Sequence, residues 1–290
     1  MRIENIMNDN YKSRIKKLQS LIVDADIVLI GAGAGLSTSA GLIYSGDRFH
    51  KNFAEHIEKY GISDMYSAGF YPFNTAEEKW SYWSKHIKLN RYDECTSSLY
   101  DDLYAIVESK NYFVITTNAD GMFFKSGFDK KRIFAVQGDY AKFQCSMSCH
   151  NKLYDNKEII HRMVKEQTSC KIPSYLIPRC KVCGADMEVN IRKDDLFVED
   201  ENWDISYRKY EKFISSIDAK KIVFLEFGIG YNTPSIIKYP FERMTMQYKD
   251  ATLVRFNKEF SQVDEIDKNK SLSFDEDIKK VITDIKLQHK

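Results

Sequence analysis

An apolar run, Asp26-Ile27-Val28-Leu29-Ile30, leads straight into the glycine turn Gly31-Ala32-Gly33-Ala34-Gly35-Leu36-Ser37-Thr38-Ser39-Ala40-Gly41. A buried strand followed by glycines that open a helix is how a parallel sheet offers backbone N–H groups to a phosphate. Glycine admits a close approach of the ligand, and the helix start favours negative charge. The plainer alternative is a tight strand-to-helix connection. The GxGxxG spacing is not met: counted from Gly31 its last position is Leu36, and from Gly33 it is Thr38. No acidic residue stands on a second strand about 20 residues further on, so an ordinary dehydrogenase fits poorly.

The rest of the chain alternates in the same manner. Short apolar, partly β-branched runs at 112–116, 132–136, 222–227 and 251–256 read as further buried strands. Helical spacing occupies 11–24, 97–109, 204–217, 234–247 and 274–287. Such alternation predicts an α/β fold, a doubly wound parallel sheet of Rossmann-like type. Its expected extent is 1–44, 96–140 and 194–290. Two insertions complete the chain: an aromatic-rich helical stretch over 45–95, with Trp80, Tyr82 and Trp83, and a cysteine-bearing stretch over 141–193 with little periodicity. They read as lobes of one smaller module.

Charge excludes some partners. The 290 residues carry 43 basic and 42 acidic side chains, a net +1, which predicts neither a nucleic-acid surface nor a polybasic membrane anchor. No apolar run approaches the roughly 18 to 20 residues of a membrane span, and the first residues lack the apolar segment of a signal peptide. A cytoplasmic protein is expected, and there close cysteine pairs point to metal more than to disulfides. Cys145-x-x-x-Cys149 and Cys180-x-x-Cys183 are two such knuckles, the second followed by the turn-permitting Gly184. Together they predict one structural zinc with four sulfur ligands and no open position for chemistry. His150, next to Cys149, is a substitute ligand to consider. Cys95 and Cys170 read as plain buried thiols.

The segment Gly33-Ala34-Gly35-Leu36-Ser37-Thr38-Ser39-Ala40-Gly41-Leu42 resembles the NAD loop of the sirtuins, GAGxS-x-x-x-G-[IL]. The resemblance continues in order along nearly the whole chain. Thr116-Thr117-Asn118-Ala119-Asp120-Gly121-Met122 is similar to TQN-x-D-x-L, and Val136-Gln137-Gly138 stands where the family has its HG pair. Gly228-Ile229-Gly230-Tyr231-Asn232 stands in place of GTSL, and Asn257 matches the adenosine-side asparagine. The resemblance implies NAD as co-substrate. Gly33, Ala34, Gly35, Ser39, Gly228, Ile229, Gly230, Asn232 and Asn257 would bind it, with the pyrophosphate over Ala34, Gly35 and the helix start and with Gly228, Gly230 and Asn257 toward adenosine. Asn118, Asp120 and Gln137 would face nicotinamide and carry catalysis.

Two departures alter the expected chemistry. The family's PDFR is replaced by Ile43-Tyr44-Ser45-Gly46, and the histidine that sirtuin deacylases use as general base is Gln137. A glutamine amide orients a hydroxyl but takes no proton at neutral pH, and losing a general base costs about 10² to 10⁴ in rate. This pattern is similar to the macrodomain-linked microbial sirtuins. That resemblance implies protein mono-ADP-ribosylation of a lipoylated, glycine-cleavage-H-like carrier, reversed by a partner macrodomain hydrolase in an oxidative-stress response. A lysine deacylase with another base, or a silent NAD or ADP-ribose sensor, are the alternatives.

Overall fold

The computed structural model describes residues 2–218, 220–263 and 265–288; the expected domain ranges 1–44 and 194–290 therefore include positions outside the described residues. In chain order the strands are β1 (Ile27–Ala32), β2 (Asn111–Thr116), β3 (Ile133–Ala135), β4 (Gly138–Cys145), β5 (Tyr154–Asp155), β6 (Met187–Ile191), β7 (Ile222–Phe227), β8 (Ala251–Phe256) and β9 (Ser271–Phe274). The helices are α1 (Arg2–Asp24), α2 (Ala34–Ser39), α3 (Gly46–Tyr60), α4 (Met65–Ala68), α5 (Ala76–Ile87) and α6 (Leu99–Val107). They continue with α7 (Met122–Lys125), α8 (Lys157–Glu166), α9 (Glu201–Ile214), α10 (Lys238–Gln247) and α11 (Ile278–Gln288).

Six strands form one parallel sheet in the order β3-β2-β1-β7-β8-β9. Strands β1 and β7 are wholly buried because both faces are covered, which is why they read as continuous apolar runs. One face packs Val28, Ile30, Leu225 and Val254 against Leu18 and Ile22 of α1, Leu103 of α6 and Ile282 of α11. The other packs Leu29, Phe113 and Phe224 against Phe213 of α9 and Phe241 of α10. The chain reverses direction across the sheet between β1 and β7. A doubly wound sheet binds its ligand at that switch point, outside the strand carboxyl ends.

The smaller body combines a three-stranded antiparallel sheet, β5-β4-β6, with α3, α5 and α8. Phe49, Phe53, Trp80 and Tyr82 share one core with Phe143, Ile160, Met163 and Val189, so both insertions bury their apolar faces on each other. The aromatic run at Trp80 is core. Sequence periodicity does not resolve these strands, nor β9, of which the expected helix 274–287 takes in only the last residue, Phe274. That helix starts at Ile278, and α10 starts at Lys238 rather than at 234. Among the described residues, no helix is long and apolar enough to cross a membrane.

Candidate active site and metal centre

Strand β1 runs two residues further than the sequence suggested, to Ala32, and the glycine turn proper begins at Gly33. Gly33 N–H donates to Phe227 O and Gly35 N–H to Gly228 O, at 2.9 and 3.1 Å, so the loops after β1 and β7 bind each other across the switch point. A Cβ on Gly35 would lie 2.6 Å from Gly228 Cα, and one on Gly33 would lie 2.9 Å from Gly228 O. These glycines are therefore required by loop-to-loop contact. Ala34 N–H, at the exposed start of α2, has no protein acceptor among the described residues. Gly230 faces open space.

Ser37, inside the glycine loop, is the hub of a buried network. Its hydroxyl donates to Asp120 Oδ2 and so must accept from Asn118 Nδ2 at 3.0 Å and Tyr100 Oη at 2.9 Å. The other Asn118 amide hydrogen goes to Gly33 O at 2.8 Å, and Oδ1 accepts no hydrogen bond from the described residues. Asp120 is 4% exposed, and its other oxygen accepts from Met122 N–H at 2.9 Å. Burial pushes its carboxyl above the ordinary carboxylate range, against the opposing effect of these hydrogen bonds and of Arg91 and Lys125.

Gln137 is half-buried, and its side-chain amide makes no hydrogen bond to the described residues. Its backbone is held firmly on both sides. Trp203 Nε1 donates to Val136 O at 3.1 Å, and Arg192 N donates to Gln137 O at 3.1 Å. The next residue, Gly138, has φ +96°, and a Cβ there would lie 2.1 Å from Asn190 O. Arg91, on a π-helical turn over Lys88–Tyr92, forms a two-pronged bond to Asp139 at 2.7 and 3.1 Å. Its guanidinium also lies against Gly121, so it ties the Asp120 loop to the Gln137 segment. Ser37, Tyr100, Arg91, Trp203 and the Tyr44–Tyr140 pair were not foreseen. Ser37 had a signal in the glycine motif and Tyr44 in the segment that departs from PDFR; the others meet across long stretches of chain.

The remaining predicted residues divide. Asn257 donates to Ile229 O at 2.8 Å and accepts from Glu259 N and Phe260 N at 3.0 Å each, so its amide pins the loops after β7 and β8 together. Asn232 is exposed and its side chain is free of protein bonds among the described residues. Ser39 turns to the start of α11, where its hydroxyl meets the Asp277 carboxylate at 3.2 Å and accepts from Lys279 N at 2.9 Å. The structure does not bring Ser39 to the crevice.

Cys145, Cys149, Cys180 and Cys183 place their sulfurs within 4.8 Å of one another, with Cys145–Cys183 and Cys149–Cys180 at 3.6 Å. Tetrahedral zinc with bonds of about 2.3 Å requires sulfur separations of about 3.8 Å, so the cluster fits. His150 is not among the four. Its Nε2 lies 3.7 Å from Cys180 Sγ and 3.0 Å from Tyr154 Oη, the place of an outer partner that orients a ligand. Cys170 is buried, whereas Cys95 is half-buried and points its sulfur at Ala40 O, 3.4 Å away.

Comparison with known proteins agrees with this geometry. The model of the Sir2 family matches residues 33–220. A Staphylococcus aureus protein named "Protein ADP-ribosyltransferase" is 38% identical over 280 residues, covering 96% of this chain and 89% of that one. A Fusarium oxysporum protein named "Probable bifunctional ADP-ribose hydrolase/ADP-ribosyltransferase" is 29% identical over 233 residues, 77% of this chain and 38% of its own length. Among solved structures, a Sir2 homolog–NAD complex superposes with TM-score 0.61 at 12% identity, covering 94% of this chain and 93% of its own. A sirtuin solved in a study of substrate affinity gives 0.60 at 16%, covering 95% of this chain and 99% of its own. With a parallel sheet, a glycine loop closed on Gly228, an Asn118–Ser37–Asp120 network and a four-cysteine cluster in the family's order, this chain belongs to the Sir2 family.

Proposed function

We propose that this chain is an NAD-dependent protein mono-ADP-ribosyltransferase that acts in the cytoplasm. Its proposed acceptor is a lipoylated carrier of the glycine-cleavage-H kind, and a macrodomain hydrolase reverses the modification during oxidative stress. The activity is supported by the name of the Staphylococcus aureus relative. The pairing with a hydrolase is supported by the name of the Fusarium oxysporum one. The acceptor and its setting rest on the resemblance of the Gln137 and Ile43–Gly46 segments to the macrodomain-linked sirtuins.

The crevice between β1 and β7 fits NAD. Its observable features are an unpartnered Ala34 N–H at a helix start, open space at Gly230, and the free amide of Gln137. When bound, NAD supplies an electrophilic ribose carbon and a nicotinamide leaving group. Ala34 and the start of α2 would meet the pyrophosphate. Asn118 Oδ1 would accept from a ribose hydroxyl or hold a water, and Gln137 would orient a ribose hydroxyl through its amide. Zinc in the cysteine cluster would hold the small sheet and leave no position for substrate.

The observation that carries the reading is Gln137 itself, standing where a deacylase has its histidine, while the carboxylate two residues on, Asp139, is held by Arg91 and Ala141 N–H. Glutamine takes no proton, and Asp120 is buried and already engaged by Ser37 and Met122. His86 is the titratable ring behind this wall, and burial holds its pKa at about 3, too weak a base at neutral pH. Without a base, the ribose hydroxyl attack that completes deacylation stalls. An acceptor carboxylate needs no deprotonation and can take the ribose carbon directly.

The test uses labelled NAD with a lipoylated carrier, the same carrier without lipoate, and an acetyl-lysine peptide. Label should enter the lipoylated carrier and fall about 10² or more in Asn118→Ala, with a smaller loss in Gln137→Ala. The pH–rate profile should lack a limb near 6.5, the value of an ordinary histidine. Robust release of acetate with no labelled carrier overturns the transferase in favour of a deacylase.

A further inference from the structure

β3 is an edge strand of the parallel sheet, paired on one side only, with β2. Val136 N–H donates to Thr116 O at 3.0 Å, so Phe134 and Val136 turn their amide groups inward to β2. The intervening residues turn theirs the other way, and Gln137 O accordingly accepts from Arg192 N at 3.1 Å on the outer side. Ala135, two residues earlier, presents both its N–H and its C=O outward, and neither has a partner among the described residues. The chain's own strand stops short of it. β6 runs antiparallel beside the start of β4 and reaches Gln137 through Arg192. The chain then turns back, so that Leu196 O accepts from Gln144 Nε2 at 2.8 Å, near the far end of β4. The line that β6 would follow past Ala135 is left open.

A cavity of about 120 Å³ lies at that opening. It is lined by Phe124 and Ile133, by Leu153 of the smaller body and by Trp203 of α9, with Asn190 and Asp200 as polar members. Its rim is basic. Lys130 and Lys131 stand just before β3, Lys152 precedes Leu153, and Lys209 lies one turn along α9 from Ser206, another lining residue; these lysines are exposed. Asp200 is already engaged at the start of α9, where it accepts from Trp203 N at 2.9 Å. Lysines beside an edge oppose pairing with a second copy of the same edge, because like charges would meet. The same charges favour an acidic strand.

We propose that the β3 edge docks an extended, acidic segment of a partner protein, added as an antiparallel strand that continues the line of β6. Its backbone pairs with Ala135 N–H and C=O, an apolar side chain enters the cavity beside Leu153 and Trp203, and its acidic side chains meet the lysines of the rim. Main-chain pairing supplies affinity, while the cavity and the charges supply selectivity. Gln137 is two residues further along the strand, about 7 Å by strand rise. A docked segment therefore holds its protein beside the crevice without entering it. Docking requires no NAD, so it is tested apart from the transferase reading.

Fluorescence anisotropy of a labelled peptide, Asp-Ile-Glu-Val-Asp-Ile-Glu, measures docking on the full zinc-loaded chain without NAD. The peptide should bind saturably. The same peptide with lysine at each acidic position should bind at least about tenfold more weakly. Of two peptides N-methylated at alternate residues, one should bind about three- to tenfold more weakly and the other as the unmodified peptide does, because an added strand uses every second amide. Ala135→Pro removes the outward N–H and leaves the bonds of Phe134 and Val136 to β2, so it should weaken binding about three- to tenfold at unchanged zinc content. Absence of saturable binding, equal binding of the lysine peptide, equal binding of the two N-methylated peptides, or unchanged binding by folded Ala135→Pro overturns the proposal. A chain that binds no peptide but sediments as a dimer until Ala135→Pro separates it gives the edge to a second copy, and overturns it as well.

Discussion

Replacing Gly35 with alanine tests whether the glycine loop is shaped by a ligand or by its neighbour. The added Cβ would lie 2.6 Å from Gly228 Cα, 3.1 Å from its oxygen and 3.3 Å from its carbonyl carbon. Carbon atoms rest at about 3.5–4.0 Å, so the two loops must part by about 1 Å. All three obstructing atoms are backbone, and Gly228 has φ +59° with Gly35 Cα only 2.4 Å from its own missing Cβ, so neither side can yield cheaply. Over-packing of this kind costs about 1–3 kcal/mol, a fall in melting temperature of about 2–6 °C in a chain this long. Parting the loops also stretches the 3.1 Å bond from Gly35 N–H to Gly228 O and shifts Ala34 N–H from its place at the crevice mouth. NAD should therefore bind about tenfold more weakly, a loss of about 1.4 kcal/mol. Gly230→Ala is the control for stability, because nothing lies within 4 Å of its Cβ position. Scanning calorimetry reads the first effect and titration calorimetry the second. An alanine at Gly35 that melts and binds like the unmodified protein would show that the loops are not in contact, and the account of the glycines would fail.

Two further outcomes follow from burial and metal geometry. Cys180→Ser should lose zinc and unfold the small sheet at lower temperature, read by elemental analysis beside thermal melting; protein purified without chelator that holds no zinc would refute the four-sulfur site. His56 and His86 are buried, with pKa values lowered to about 4 and about 3 chiefly by desolvation. The unfolded chain binds their protons near 6.5, so stability is lost as pH falls from there. Each ring should contribute about 2 kcal/mol of loss between pH 7.5 and 5. His86→Gln should flatten that slope by its half in urea titrations, and an unchanged slope would show that the ring is not buried neutral.

The sheet was legible because burial on both faces writes itself into the sequence. Strands such as Ile222–Phe227 have no polar alternation to confuse them with helices. The small module was not, since β4 and β6 set buried Phe143 and Val189 beside polar residues that are themselves buried, Gln144 and Asn190, over short, bulged pairings. Motif position sufficed for what the structure brings together: Asn118 and Asp120 join Ser37 in one network, and the four cysteines form one cluster. Asn257 was located correctly in the chain, but its amide is engaged by Ile229 and the turn after β8. Motif position alone could not reveal that, nor that Ser39 faces Asp277. Arg91 with Asp139, and Tyr44 with Tyr140, depend on how the two bodies meet. No local spacing encodes that meeting.

Burial governs the titratable groups Asp120, Tyr44, Tyr140 and His86. Asp120 is held toward its neutral form by burial, Tyr44 and Tyr140 are held protonated, and His86 is held unprotonated. Gln137 does not titrate at all. The phenols and His86 are moved away from pH 7, the reverse of the tuning that makes a general acid or base, and Asp120, though raised, is engaged by Ser37 and Met122 N–H. A histidine at position 137 would stand in the same wall, with Asp120 and the phenols still unable to pass on its proton. The walls of this crevice are thus arranged to hold and orient neutral hydrogen-bonding groups, and any charge needed for the attacking step must arrive on the acceptor. That requirement favours a carboxylate-bearing protein over an acyl-lysine, whose amide oxygen begins the reaction but still needs a base to finish it.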